Sequence, residues 1–117
     1  MKINNSFRNK YNAKSSRCWI GHYHQSIDEA RYCDKLTLLK KGKHIKSIDY
    51  QKDYPLKVND KHICNIRVDF VVTWKDGLVE VHEYKGFETE VWRLKHKLFL
   101  ACYPKFPYVI KKRKDLI

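Results

Sequence analysis

Residues 66–86, IRVDFVVTWKDGLVEVHEYKG, predict a β-hairpin, because two valine-rich runs flank the turn sequence KDG at 75–77. Asp69, Glu83 and Lys85 stand inside these runs at positions where apolar residues would be expected. Aspartate is depleted in strand interiors, so its presence needs a reason. The register of the hairpin decides whether the three charges meet on one face.

Two registers compete for this hairpin. A two-residue loop at 76–77 places Asp69 opposite Tyr84, so that the charges are scattered over both faces of the hairpin. A three-residue loop at 75–77, with Gly77 in a left-handed conformation that forms a bulge, places Asp69 opposite Glu83. We favour the second register, because it separates charged from packing residues. One face then carries Arg67, Asp69, Val71, Thr73, Val79, Val81, Glu83 and Lys85, and the other carries Val68, Phe70, Val72, Trp74, Leu78 and Tyr84.

The favoured register predicts a site for a divalent cation. Carboxylates directly opposite each other repel, and a cation together with Lys85 would offset that repulsion. Hard cations such as Mg²⁺ prefer carboxylate oxygens. A metal ion held by Asp69 and Glu83 would polarise a phosphate oxygen and lower the pKa of a bound water, while Lys85 orients that water. This set of residues suits phosphodiester hydrolysis.

Length and charge indicate one basic domain that binds a polyanion. The chain has 117 residues and a formal net charge of +12, with 43% hydrophobic and 14% aromatic residues. This composition indicates a folded body that carries its positive charge on the surface, where it either binds nucleic acid or only maintains solubility. The sequence contains no apolar run long enough to span a membrane and no signal peptide. We therefore expect a cytoplasmic protein.

The cysteines give no recognised metal motif. They occupy positions 18, 33, 64 and 102 without a CxxC pair, and we interpret them as reduced, mostly core residues. Cys18, His22, His24 and Cys33 have the ligand types of a zinc site, but their spacing matches no recognised zinc motif.

The N-terminal part of the chain predicts an arm, a short hairpin and a helix. Residues 1–17 are expected to form a flexible basic arm that either follows a phosphate backbone or has no role, ahead of a single domain at 18–117. A short hairpin centred on 21–22 precedes a capping box formed by Ser26 and Glu29. The helix is predicted over 27–41, with Gly42 as a left-handed C-cap. Glu29 lies on the side of this helix that carries its apolar residues.

The rest of the chain predicts a mixed sheet and a second helix. Residues 44–58 read as one bent strand or two short ones, broken near Pro55, and a turn at 59–61 leads into the central hairpin. Thr89 is a predicted N-cap for a helix of about twelve residues, and 108–110 form a last strand. The apolar side of the second helix is expected to carry Val91, Leu94 or Lys95, Leu98, and Ala101 or Cys102. Its other side is expected to carry a basic stripe of Arg93, Lys97 and Lys95 or His96. The predicted order α-β-β-β-α-β belongs to the α/β (α+β) class, a mixed sheet flanked by two main helices.

Asp69, followed by a hairpin and then by Glu83-x-Lys85, resembles the motif of the PD-(D/E)XK nuclease superfamily. The surrounding chain resembles a family of small phage proteins, catalogued as a domain of unknown function, over about residues 10–110. The matching segments are KYNAK at 10–14, Gly21, SIDEARY at 26–32, Gln51, VDF at 68–70, YKG at 84–86 and LKHKLF at 94–99. The resemblance implies a restriction-endonuclease-like core.

By that resemblance Asp69, Glu83 and Glu29 are metal ligands for Mg²⁺, with Mn²⁺ able to substitute, and Lys85 is the catalytic lysine. The family usually has Asp at the position of Glu83 and an acid at that of His82, so a third acidic ligand from this strand is in doubt. The expected DNA-binding residues are Arg8, Lys10, Lys14, Arg17, Gln51, Arg67, Arg93, Lys95 and Lys97.

The function implied by the resemblance is a metal-dependent DNA endonuclease, selective for branched DNA like a Holliday junction resolvase. It would act as a homodimer in phage DNA processing in the host cytoplasm. The alternatives are a nucleic-acid-binding module without catalysis and a restriction-like, sequence-specific endonuclease.

Overall fold

The computed structural model describes residues 16–24 and 26–112. A small antiparallel hairpin precedes a four-stranded sheet with strand order β3-β4-β5-β6, in which β6 runs parallel to β5 and the other pairs are antiparallel. The class and the order of the main elements are as predicted. The elements are β1 (Ser16–Arg17), β2 (Tyr23–His24), α1 (Ile27–Lys41), β3 (Ile45–Val58), β4 (Lys61–Trp74), β5 (Val79–Tyr84), α2 (Glu90–Cys102) and β6 (Tyr108–Lys111).

The N-terminal arm as predicted is too long by at least two residues. Ser16 and Arg17 form β1 and pair with His24 and Tyr23. The Arg17 guanidinium donates to the carbonyl of Gly21 (3.2 Å) and so lies along its own hairpin. Arg8, Lys10 and Lys14, predicted to bind DNA, lie outside the described residues.

Helix α1 has the predicted bounds but a different C-terminal cap. The Ser26 hydroxyl accepts from the backbone N–H of Glu29 (3.0 Å), as the capping box requires. Gly42 was expected to be left-handed, but its φ is −77°. The left-handed residue is Lys43, with φ 63°. The ring of His44 lies 3.1 Å from the place where a Cβ of Gly42 would be, so a side chain at position 42 would require the exposed His44 ring to shift slightly.

The central hairpin adopts the favoured register. Phe70 pairs with His82 and Thr73 with Val79, and the same register places Asp69 opposite Glu83. Gly77 has φ 92°, and its N–H donates to the carbonyl of Trp74 (2.9 Å). The bulged three-residue turn is therefore confirmed.

Strand β3 is continuous through Pro55. It lies at the edge of the sheet, where a residue without an N–H is tolerated. Gln51 is left-handed, with φ 52°, and lies opposite Asp69. The pairing with β4 also shifts register between Leu56 and Lys57, next to Pro55, so the strand is irregular near the predicted position but does not divide there.

The helices pack on opposite faces of the sheet. Phe70 and Val72 of β4 belong to a core cluster with α1, whereas the alternating residues Val71 and Val81 belong to a second cluster with Phe99 of α2. Val68 lies in the second cluster, so its predicted place beside Phe70 and Val72 is wrong. The alternation of β4 changes phase between Val68 and Phe70, opposite the left-handed Gln51.

Helix α2 buries only part of the predicted face, since Leu98 and Cys102 pack against the second cluster. Val91 and Leu94 are exposed (64% and 61%), while Trp92 and Phe99 are buried. The His96 ring stacks on that of Trp92 with their centroids 4.9 Å apart, and it also contacts Tyr108. Aromatic packing against β6, rather than the aliphatic stripe, orients this helix.

No helix in the described residues is long and apolar enough to cross a membrane.

The bulged turn predicts that alanine destabilises the protein more at position 77 than at position 86. Gly77→Ala should destabilise the protein by about 1–2 kcal/mol, because a Cβ is strained at positive φ. Gly86→Ala is the control, since its φ is not left-handed and its nearest neighbours are 3.8 Å away, and we expect a change within about 0.5 kcal/mol. Urea unfolding measures both. Equal effects would show that the bulged turn does not depend on Gly77.

Candidate functional site

A cavity of about 430 Å³ opens at the end of β5. It brings together the four residues predicted to be catalytic, Glu29, Asp69, Glu83 and Lys85. Gln51 and Arg67, which are predicted to contact DNA, also line it. The full lining is Glu29, Gln51, Arg67, Asp69, Glu83, Tyr84, Lys85 and Trp92.

The cavity forms where β4 and β5 stop pairing. Their ladder ends at Phe70 and His82. The N–H of Tyr84, which would face Val68 in a continued ladder, instead donates to Oδ2 of Asp69 (3.0 Å). The Asp69 carboxylate thus satisfies a backbone donor left free by the separated strands. This hydrogen bond holds the carboxylate between the two strands.

Two aromatic residues hold Glu83, which is 3% exposed. Trp92 of α2 donates its indole N–H to Oε2 (2.8 Å), and the hydroxyl of Tyr108 in β6 donates to Oε1 (2.7 Å). Each oxygen of Glu83 keeps acceptor capacity beyond these bonds. No local pattern along the chain indicates these roles, because both partners are brought to Glu83 by the β5-α2-β6 connection.

Glu29 reaches the cavity from the first turn of α1 and is itself oriented by a histidine. Nδ1 of His24 lies 2.6 Å from Oε2 of Glu29. An ionised carboxylate only accepts, so Nδ1 carries the proton in this contact. His24 was not predicted to have a role in the acidic site.

Three acids share this cavity, and their charges oppose one another. Burial and then the negative charges of Glu29 and Glu83 raise the pKa of Asp69 well above its usual value, despite the Tyr84 N–H and Lys85. Burial is also the main reason that the pKa of Glu83 is raised. A cation would relieve this repulsion and favour the ionised carboxylates.

The three carboxylates are chemically suited to bind a hard divalent cation. All three acids offer oxygen ligands, as Mg²⁺ prefers, and two of them are buried. The ammonium of Lys85 lies 5.0 Å from the ring centre of Trp92, beside the carboxylates. The three carboxylates are not among the compact groups of possible metal ligands in the described part of the chain. A metal ion here therefore remains a proposal.

The other predicted DNA-binding residues are mostly exposed and partly paired. Arg67 forms an ion pair with Asp53 (2.9 Å) at the edge of the cavity. Arg93 lies 3.4 Å from Glu88. Lys97 is exposed and Lys95 is half-buried, so the predicted basic stripe of α2 does not face one way.

A larger cleft of about 660 Å³ lies at the other end of the hairpin, beside Trp74 and Leu78. The half-buried acid of this cleft is Glu80. Its Oε1 accepts from the indole N–H of Trp74 (2.6 Å) and lies 2.9 Å from Nε2 of His82. The other acid of the cleft, Asp76, is exposed and accepts from the backbone N–H of Leu78 (3.0 Å), so this cleft does not bring three acids together.

The raised pKa of Asp69 predicts a pH-dependent stability difference. The pKa of Asp69 is higher in the folded protein than in the unfolded chain. Asp69 therefore contributes most to the free energy of unfolding below its unfolded pKa, and this contribution is lost as pH rises through its folded pKa. In EDTA, the melting temperature of Asp69→Asn should therefore rise relative to that of wild type as pH increases from about 5 to about 8. The amide can still accept from Tyr84.

Asp53→Asn is the matched control, because Arg67 lowers the pKa of Asp53. That variant should not gain stability relative to wild type over the same range. A constant difference between Asp69→Asn and wild type across this range would contradict the assigned pKa shift.

Comparison with known proteins gives a family without a stated activity. No curated protein and no solved structure matches the chain. One family model matches residues 8–115, nearly the whole sequence. This match agrees with the resemblance to a family catalogued as a domain of unknown function. The chain belongs to the family described as Protein of unknown function (DUF1064).

Proposed function

We propose that this protein is a divalent-metal-dependent DNA endonuclease that hydrolyses phosphodiester bonds. The observation that carries the proposal is the convergence of Asp69, Glu83, Glu29 and Lys85 in one cavity. Nothing in the packing of the core needs three acids at one place, and their mutual repulsion opposes folding. The resemblance to the PD-(D/E)XK superfamily and to small phage proteins supports the same reading.

The charge of the whole protein supports a polyanionic substrate. The formal net charge is +12, yet the cavity concentrates acids. Basic residues outside the cavity would attract a phosphate backbone and release its counterions. An acidic site on such a surface would repel phosphate unless a cation lay between them. The combination is typical of a metal-dependent enzyme acting on nucleic acid.

The roles of the residues follow from their positions. Asp69, Glu83 and Glu29 would hold Mg²⁺ or Mn²⁺, which when bound polarises a phosphate oxygen and lowers the pKa of a water. Lys85 would orient the attacking water and balance charge that develops on the phosphate. Trp92 and Tyr108 fix Glu83, and the Tyr84 N–H fixes Asp69. The acids thus need little reorganisation when a cation binds.

Selectivity for branched DNA and action as a homodimer are parts of this proposal that rest on the resemblance. The exposed apolar residues Val91 and Leu94 on α2 are a candidate surface for a second copy, since neither belongs to a core cluster of the described residues. Gln51 and Arg67, which line the cavity, would contact the substrate.

The first test is cleavage of labelled four-way junction, linear duplex and single-stranded DNA with Mg²⁺, Mn²⁺ or EDTA. Wild type should cut the junction with a metal ion and not in EDTA. Asp69→Asn and Lys85→Ala should each lose about 100-fold or more in rate, because each removes a group that acts on the reacting phosphate or water. Binding should weaken steeply with salt for all substrates.

Asp60→Asn and Lys35→Ala are the matched controls for these two substitutions. Asp60 lies in the β3–β4 turn with φ 65°, a conformation that asparagine accepts, and Lys35 is exposed on α1. Both should cut at the wild-type rate. Binding of all three DNAs without cutting in either metal would exclude the enzyme, and equal cutting of duplex and junction would exclude branch selectivity.

Trp92 gives a separate test of how Glu83 is positioned. Trp92→Phe removes the N–H that donates to Glu83 but keeps an aromatic ring. We expect the Mg²⁺ concentration for half-maximal cleavage to rise about 10- to 100-fold, with a smaller change in rate at saturating Mg²⁺.

Trp74→Phe is the control for Trp92→Phe, because it removes an indole donor to Glu80 at the far end of the hairpin. Its Mg²⁺ dependence should match that of wild type. Equal Mg²⁺ dependence of wild type and Trp92→Phe would contradict the positioning role.

A further inference from the structure

A second group of possible metal ligands lies between the N-terminal hairpin and α1. Cys18, His22, His24 and Cys33 each offer one ligand atom, and these atoms all lie within 4.8 Å of one another. Ligand atoms in a tetrahedral zinc site with two sulfurs and two nitrogens are about 3.3–3.8 Å apart. A small decrease in the distances between these ligand atoms would therefore give the geometry of a tetrahedral zinc site. Sγ of Cys33 and Nδ1 of His22 are already 3.9 Å apart.

Local backbone contacts bring the first three ligands together. The N–H of Cys18 donates to the carbonyl of His22 (2.9 Å), which closes the loop between β1 and β2. The N–H of Trp19 donates to Oδ1 of Asp34 (2.8 Å), which ties this loop to α1 next to Cys33. The four ligands therefore meet in the fold although their spacing in the sequence matches no common motif.

One buried nitrogen in this group lacks a hydrogen-bond partner. His24 is 2% exposed, and its Nε2 is the buried side-chain atom without a partner in the described residues. An unpaired buried polar atom is costly and rare. The other ring nitrogen, Nδ1, contacts the Glu29 carboxylate. A histidine that bonds a carboxylate through one nitrogen and leaves the other free has the arrangement of a zinc ligand.

We propose that Cys18, His22, His24 and Cys33 bind one Zn²⁺ in a tetrahedral, structural site. The ligand set of two cysteines and two histidines is a usual one for closed zinc sites. Cys18 and Cys33 are buried and His22 is half-buried, so little room is left for a water or substrate ligand. The ion would join the β1–β2 hairpin to α1.

The zinc site would also fix an acid of the cavity. With Nε2 on the metal, the His24 ring presents Nδ1–H to Glu29, and Glu29 lines the acidic cavity. His24 would thus connect the structural zinc site to the proposed catalytic site. The zinc site itself does not depend on the proposed endonuclease activity.

Metal content of the purified protein tests the proposal. The protein is prepared under reducing conditions without a histidine tag and dialysed against metal-free buffer, and its zinc is measured by elemental mass spectrometry. Wild type should retain about one Zn²⁺ per chain. Cys33→Ser and His22→Ala should retain far less, whereas Cys64→Ser, the control at a cysteine outside the group, should retain as much as wild type.

Asp69→Asn distinguishes the two metal sites. It should keep its zinc, because Asp69 lies in the acidic cavity. Zinc that is lost in Asp69→Asn but kept in Cys33→Ser would overturn the proposal. Wild-type protein that holds zinc but cuts none of the DNA substrates would contradict only the endonuclease, and wild-type protein that cuts DNA but binds no zinc would contradict only the zinc site.

Cobalt substitution keeps the proposal testable if a ligand variant fails to fold. Co²⁺ added to metal-free wild type should give the visible absorption of a tetrahedral, thiolate-bound ion, and one equivalent of Zn²⁺ should remove it. No such absorption, or a disulfide between Cys18 and Cys33 in the protein as purified, would overturn the proposal.

Discussion

The bulged turn at Gly77 is the constraint on which the rest of the structure depends. It sets the register of β4 against β5, and a shift by one residue would move every side chain to the other face. In the observed register Phe70 faces α1 and Val71 faces α2, so both helices find an apolar surface. The same register places Asp69 opposite Glu83. Packing and the acidic cavity therefore have a common origin in one turn.

The acids of the cavity oppose stability, and the fold compensates with neutral donors rather than with buried cations. Glu83 accepts from Trp92 and Tyr108, and Asp69 accepts from a backbone N–H freed where the strands separate. Such donors hold a carboxylate in place without neutralising it, which leaves its charge available to a bound metal ion. Glu29 has a histidine instead, and through His24 the proposed catalytic site meets the proposed zinc site.

The departures from expectation have physical reasons in long-range contacts. Helix α2 has an aliphatic stripe that suggested a buried face, but the indole of Trp92 bonds Glu83 and its ring stacks on His96, which leaves Val91 and Leu94 exposed. The alternation of β4 changes phase opposite the left-handed Gln51, which places Val68 on the face of α2. In each case a neighbouring element decided the outcome.

The sequence by itself determined the element order, the bounds of α1, the hairpin register and the convergence of Asp69, Glu83 and Lys85. These features depend on local chemistry: alternation, capping by Ser26 and the freedom of glycine at 77. Only the tertiary structure decided the partners of the acids and the meeting of Cys18, His22, His24 and Cys33. Those contacts join residues from separate elements, and no spacing along the chain encodes them, because the distances are set by how helices pack on a twisted sheet.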